Sequence, residues 1–407
     1  MAGRLKRTLG LTEVVFFGAG SILGAGIYAI VGKVAGFSGN MIWLSFTIAS
    51  VTALMSAFSY AELSSMFPRA GAEYVYAKNA FNEKMALVLG LIISVNGIVS
   101  GATVSIGFAG YFSQLWDVNL FVAALGVICF VWIVNVSGIR QSSVVNIIFT
   151  LIEFSGLLLV IYVAYPYLGK TNYFEMPPGG FNHILLAAAL SYFAYIGFEE
   201  IVKLSEETKS PEKNIPRALF SATTIVMMIY LIVAVCVVSV IPWKTLGESS
   251  HPLSDIVQSD MGKTGVTIIS VIALFSTTNT ILSNMMGSSR VLLHIGKENR
   301  NLRWLSVVSE KRKTPVFALV AVAVIMIAFA AIGNLATVAL LANLFIFITF
   351  LFVNISVVVL RVKSPSLKRP YRIPLNVRNI PIPSLLGILL TLMLFGYSVY
   401  GLLISAF

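Results

Sequence analysis

Apolar residues run in long blocks from one end of the chain to the other, separated by short polar stretches with few charges. A helix needs about 20 apolar residues to cross the hydrocarbon core of a bilayer. Blocks of that scale predict helices over 12–35, 41–66, 85–115, 119–137, 143–166, 183–204, 217–241, 264–293, 315–332, 335–360 and 383–406. The expected fold is an all-α polytopic membrane protein of about eleven crossings, with residues 1–407 forming one transmembrane domain. The polar connection Gly296 to Thr314 is too short for a soluble domain.

Two blocks are interrupted. In the first, Gly18, Gly20, Gly24 and Gly26 crowd the centre of an otherwise apolar segment. Glycine weakens a helix interior, so this segment is expected to come apart at mid-depth. There, unpaired backbone groups are tolerated only against protein or a water-lined cavity. Close helix packing through Gly20 and Gly24 is the competing explanation. The sixth block weighs against it, because the apolar run Leu185 to Phe198 leads straight into Glu199 and Glu200 and is too short to cross unless it unwinds near Tyr195 to Phe198. Interrupted spans one and six stand five crossings apart, and a repeat of five crossings is necessarily inverted. Paired broken helices in inverted repeats point to a transporter with its substrate near the midplane. Residues 12–166 and 183–360 are the expected repeats, and 383–406 an additional helix. Helix amino ends favour a carboxylate, and released carbonyls accept from an ammonium, so an amino acid fits the polarity of such a site.

Composition agrees with the pattern: 57% of residues are hydrophobic and 11% charged. The net charge of +11 could suggest nucleic acid, but its distribution argues for a membrane instead. With the N-terminus in the cytoplasm, 24 of the 28 Lys and Arg residues fall on the cytoplasmic side, leaving Lys33, Lys170, Lys244 and Lys263 outside. That asymmetry follows the positive-inside rule and predicts a multi-pass protein of the cell membrane. Its basic loops are expected to lie against membrane lipid, with no nucleic-acid partner. The first apolar block is too long for a secretory signal and is read as an uncleaved span.

Cofactor chemistry finds little support. His183, His251 and His294 have no metal-like spacing, Cys129 and Cys236 read as small buried hydrophobes, and the glycines of span one lack the strand and helix of a nucleotide-binding loop. No nucleophile, acid and base set suggests an enzyme. The expectation is a transporter with no cofactor and no metal centre.

Several ordered motifs resemble the amino acid, polyamine and organocation (APC) transporter superfamily, close to cationic amino acid transporters and bacterial amino acid permeases. They are Gly20 to Tyr28 in span one; Tyr60-Ala61-Glu62-Leu63 with Phe67-Pro68-Arg69-Ala70-Gly71-Ala72-Glu73-Tyr74-Val75-Tyr76 at the exit of span two; and Phe193 to Glu199, Glu206 to Pro211 and Ile215 to Ala218 around span six. The resemblance implies a five-plus-five inverted repeat and secondary transport by alternating access. Carried over, the family's carboxylate clamp falls on the amides around Ile22, Gly24, Ala25 and Gly26, and its ammonium contacts on carbonyls near Ile22, Phe193, Ala194 and Ile196. Phe193 matches an aromatic gate. Ala25 stands where several relatives carry a hydroxyl, leaving the backbone to hold the carboxylate.

The run Val145, Asn146 and Ile147 through Glu153 resembles a fifth-span motif that ends in Lys in many sodium-independent relatives. An acid at membrane depth is costly and usually functional, so Glu153 reads as a proton-coupling site or a cation ligand, with a structural acid as the alternative. Ser276, Thr277, Thr278 and Asn279 offer oxygens in span eight and keep sodium open as a second coupling ion. Glu199 reads as a helix amino-terminal or inner-gate acid. The leading expectation is proton-coupled or exchange transport of amino acids. Polyamine or organic-cation transport is the alternative, and a channel or receptor-like binding protein the reading from a different class.

Overall fold

The computed structural model describes residues 7–69, 71–137, 143–298, 300–309 and 314–405. Of the residues named above, Ala70 lies outside the described residues, as do the side chains of Ala25, Val145, Asn146, Ile147 and His294; among the cytoplasmic basic residues counted above, so do Arg4, Lys6, Arg140 and Lys311 to Lys313, and the side chain of Arg300.

Fifteen α-helices follow one another among the described residues. They are α1 (Leu11–Leu23), α2 (Ala25–Ser38), α3 (Ile42–Met66), α4 (Ala72–Ala80), α5 (Glu83–Leu115), α6 (Leu120–Ser137), α7 (Ser143–Ala164) and α8 (Gly180–Ser191). After a short 3-10 turn come α9 (Glu200–Lys203), α10 (Pro211–Val240), α11 (Trp243–Glu248), α12 (Pro252–Glu298), α13 (Val316–Ala330), α14 (Leu335–Lys363) and α15 (Ile382–Ser405). The one departure from an all-α fold among the named elements is a two-residue antiparallel pairing, β1 (Asn376–Val377) with β2 (Ile380–Pro381), between α14 and α15.

Nine helical runs among the described residues are long and apolar enough to cross a membrane, and α1 and α13 are shorter apolar helices. The difference from the eleven expected spans has local causes. Gly24 cuts the first span after Leu23, and α13 holds only 15 residues. The run Gly26–Met66 includes the junction of α2 and α3, where Gly39 at φ 58° leaves helical geometry. The expected span 264–293 is longer in the structure, from Pro252 to Glu298, and Gly262 at φ 53° breaks it.

Helix starts follow local chemistry. The Asn82 side chain accepts from the Met85 amide ahead of α5, Asn334 does the same for Thr337 ahead of α14, and Pro211 occupies the first turn of α10. Each places an acceptor, or a residue without an amide proton, where helix amides have no partner.

The layering is concentric. In the most apolar window of Gly180–Glu206, 89% of residues are buried, against 28% in that of Ile382–Ile404, so the interrupted segment lies at the centre and α15 at the periphery. Large apolar side chains such as Phe130, Tyr162, Met228 and Leu389 face outward, as expected of a wall in contact with lipid. Cys129 is exposed on this wall, unlike the buried Cys236.

Candidate functional site

Helix α1 stops at Leu23 because Gly24 takes φ −29° and ψ −153°, outside helical geometry, and α2 restarts at once with no side-chain cap. The first amides of a helix have no acceptor within it, so the start of α2 presents donors beside the last carbonyls of α1. The Gly24 amide still reaches the Gly20 carbonyl at 3.1 Å. The Ile22 carbonyl, expected to face a ligand, accepts the hydroxyl of Tyr230 from α10 at 2.7 Å. Tyr230 carried no signal in the sequence, being one tyrosine in a long apolar block.

The second interruption follows α8. A 3-10 turn runs from Tyr192 to Tyr195, Ile196 is extended, and Gly197 takes φ 127°. The Phe193 carbonyl accepts from the Ile196 amide at 3.3 Å, and the Glu199 carboxylate accepts from the Gly197 amide at 2.8 Å. Glu199 thus holds the turn together. The helical geometry resumed in α9 lasts four residues, and Lys203 in it pairs with Glu200. Phe193, Ala194 and Glu199 are buried, whereas Ile196 is partly exposed.

The two interruptions touch. A Cβ on Gly26 would lie 2.7 Å from the Ala194 Cα, and one on Gly197 would strike the Ser21 carbonyl oxygen and lie 3.1 Å from the Ile22 nitrogen. Real Cβ atoms do not approach so closely, and φ 127° is strained for any residue with a side chain. Glycine at both positions lets backbone meet backbone, so Ile22, Gly26, Ala194 and Gly197 gather at one junction. Gly24 faces α12, where its Cβ would meet the Thr280 hydroxyl oxygen at 2.8 Å.

Glu153 of α7 is buried at 2% exposure, and its Oε1 has no hydrogen-bond partner. Ser276 of α12 stands beside it outside hydrogen-bond geometry, and the Ser276 Oγ is likewise unpartnered. Tyr28 of α2 donates to the Glu153 backbone carbonyl at 2.6 Å, and Tyr111 of α5 donates to the Tyr28 carbonyl at 2.9 Å. These bonds tie the acid's helix to the half-helix that starts at the first break. Thr277 and Thr278 of α12 turn their hydroxyls to carbonyls of their own helix, at 2.6 Å to Ala273 and 2.7 Å to Leu274. The structure therefore places Ser276 with Glu153 and gives Thr277 and Thr278 bonds within α12. Among the described residues, no group of three or more His, Cys, Asp or Glu side chains is placed to hold a metal ion.

Beyond the breaks lies a buried set of titratable groups. Tyr60 donates to the Glu73 Oε1 at 3.1 Å, and Tyr60 packs edge-on against Phe198 at 5.6 Å. Burial raises the Glu73 carboxyl above the ordinary carboxylate range, partly offset by the Lys203 ammonium. Glu62, near the end of α3, is fully buried against Arg361 of α14, whose guanidinium grips both carboxylate oxygens. It also accepts from the Ile373 amide at 2.9 Å.

Comparison with known proteins identifies the family. The amino acid permease family model matches residues 9–404. The chain is 28% identical to a branched-chain amino acid permease of Bacillus subtilis (strain 168), over 96% of this chain and 88% of the relative. It is also 28% identical to the methylthioribose transporter of the same organism, over 91% and 84% of the two chains. With cationic amino acid transporter 1 of Arabidopsis thaliana the identity is 28%, covering 88% of this chain and 63% of that protein. The chain belongs to the amino acid permease family, within the APC superfamily, and is a polytopic membrane transporter rather than an enzyme.

Proposed function

We propose that the protein carries amino acids across the cell membrane by alternating access, with a proton as the coupling ion. The observation that carries the reading is the contact of the two helix breaks through Gly26 with Ala194 and Gly197 with Ser21. The amides that open α2, around Gly24, Ala25 and Gly26, hold the substrate carboxylate at a positive helix end. Carbonyls of Phe193, Ala194 and Ile196, with the second lone pair of the Ile22 carbonyl, accept from its ammonium. Phe193 covers the substrate while one solvent path is closed. The permease relatives named above support an amino acid as cargo.

In this reading the chain crosses the membrane eleven times with its N-terminus in the cytoplasm. α1 with α2 forms the first crossing, the repeats cover 12–166 and 183–360, and α15 is the additional helix. Glu153 exchanges the proton: its Oε1 and the neighbouring Ser276 hydroxyl are buried without hydrogen-bond partners, and Tyr28 ties the Glu153 backbone to the half-helix that starts at the first break. Sodium at the same pair is the second reading, favoured by the two unpartnered oxygens, with Glu199 kept as an acid of the inner gate.

The test is uptake of labelled leucine, alanine, arginine and putrescine into proteoliposomes, with and without sodium and with an imposed pH gradient. Accumulation of an amino acid driven by the pH gradient without sodium is the expected result. Putrescine as the sole substrate would replace the amino acid with an organic cation. Binding without flux, or ion currents far above a carrier's turnover, would overturn transport by alternating access.

A further inference from the structure

The segment 364–381 leaves the membrane at the end of α14 and re-enters it at the start of α15, since Leu335–Lys363 and Ile382–Ile404 are both long enough to cross. Its inner side is held firmly. Arg361 donates to the Asn376 side chain and, at 3.3 Å, to the Asn379 carbonyl, while Asn379 donates back to the Arg361 carbonyl at 3.0 Å. Tyr371 donates its amide to the Ser65 hydroxyl at 3.1 Å, and Ile373 donates its own to Glu62. Two ends of membrane helices, those of α3 and α14, therefore fix the β1–β2 hairpin in place.

The outer side of this rigid hairpin is unlike an ordinary solvated turn. Leu375 is 70% exposed and Val377 59%, and Leu367 is exposed earlier in the same segment. Leu375, Arg378 and Asn379 all take positive φ, at 58°, 47° and 72°. Left-handed backbone is costly for a leucine, and such strain persists only where surrounding structure enforces it. Here it is spent on holding an apolar side chain away from the protein. Around and between the apolar positions stand Lys363, Lys368, Arg372 and Arg378, all exposed and none ion-paired among the described residues, with Arg372 donating to the Asn379 side chain at 2.8 Å. No acid occurs anywhere from Arg361 to Pro381.

Apolar side chains interleaved with cations, on a rigid turn starting and ending at the bilayer surface, match the chemistry of an interface of negative headgroups over acyl chains. We infer that the 375–381 hairpin is a lipid-docking element, which inserts Leu375 and Val377 among anionic phospholipids while Lys368, Arg372 and Arg378 pair with their phosphates. The occupant is lipid rather than a soluble phosphate, because a free anion gives no partner to the exposed leucine and valine.

The experiment uses the full chain with Cys129 and Cys236 replaced by Ser and Val377→Cys labelled with an environment-sensitive fluorophore. It is reconstituted into phosphatidylcholine vesicles with or without phosphatidylglycerol. The expected result is a blue-shifted, quencher-protected label in the phosphatidylglycerol vesicles and a water-exposed label in pure phosphatidylcholine. Neutralising Lys368, Arg372 and Arg378 to Gln weakens the phosphatidylglycerol preference by about fivefold per charge. A second readout, independent of the label, is the ratio of phosphatidylglycerol to phosphatidylcholine retained by the purified unlabelled chain, which the same three substitutions lower. A label equally water-exposed in both vesicles, or a lipid ratio unchanged by the neutralised variant, overturns the assignment.

Discussion

Ala194 lies directly against Gly26, with its Cα 2.7 Å from where a side chain on that glycine would begin. One residue belongs to the first helix break and the other to the second, so their contact fixes the distance between the two halves of the proposed site. Gly26→Val is expected to abolish uptake, because even the first carbon of the new side chain meets backbone that has little room to move. Gly197→Ala tests the same junction from the other side and adds about 1–3 kcal/mol of backbone strain at φ 127°. Labelled amino acid uptake, normalised to monodisperse protein, checks both, and wild-type rates in either variant would remove the junction from the mechanism.

Glu153→Gln keeps the shape of the side chain but cannot cycle a proton at the unpartnered oxygen. Stimulation of uptake by an inward proton gradient should disappear, while counterflow of substrate, which needs no net coupling, persists. Retention of the gradient response by this variant would assign coupling elsewhere.

Tyr230→Phe deletes a hydroxyl that fixes the Ile22 carbonyl at the broken end of α1. A buried hydrogen bond contributes about 1 kcal/mol net, so the counterflow half-saturation concentration should rise about fivefold with little change in maximal rate. A lowered rate at unchanged half-saturation would mean that the bond serves the conformational step instead.

Glu62→Ala leaves the buried Arg361 guanidinium without its carboxylate. Breaking a buried ion pair from one side costs about 3–5 kcal/mol, and the loss should appear as a markedly lower unfolding temperature in detergent. An unfolding temperature equal to wild type would show that Asn376 and Asn379 suffice to hold Arg361.

Glu73 gives a pH dependence whose sign is fixed. Its carboxyl titrates higher in the folded protein than in the unfolded chain. Between those two values the folded state binds more protons, so stability is fullest below the unfolded pKa and is lost as pH rises through the folded one. Unfolding temperatures of wild type should fall across that window, and those of Glu73→Gln should stay flatter. Parallel curves for the two proteins would show that Lys203 compensates the charge completely.

Much of this architecture is legible in the chain because apolar blocks encode crossings directly. The expected 41–66, 85–115 and 383–406 differ by at most two residues at either end from Ile42–Met66, Glu83–Leu115 and Ile382–Ser405. The glycines of the first block, and the acids that follow the apolar run of the sixth, stand beside the places where the backbone leaves α-helical geometry, at Gly24 and from Tyr192 to Gly197. What the chain does not reveal locally is long-range or weakly patterned. Glu62 and Arg361 stand 299 positions apart, and no local rule pairs them. Tyr230 differs from its apolar neighbours by one oxygen atom. The short helices α4 and α11 sit in polar connections, where packing rather than periodicity decides the geometry. The hydroxyls of Thr277 and Thr278 show the reverse limit, because residue type alone cannot tell a ligand oxygen from one already bonded to its own helix.

Gly24 separates two arms with different neighbours: α1 packs on α7 and α10, whereas α2 packs on α8, α11 and α12. A displacement of either set therefore reaches the same residue along its own lever. No side chain caps the start of α2, so the bonds at this pivot among the described residues are the Gly24 amide to the Gly20 carbonyl and the Tyr230 hydroxyl to the Ile22 carbonyl, both on the α1 side. In the proposed transport cycle this peptide unit is the joint at which the two groups of helices move out of step with each other while the chain between them stays intact.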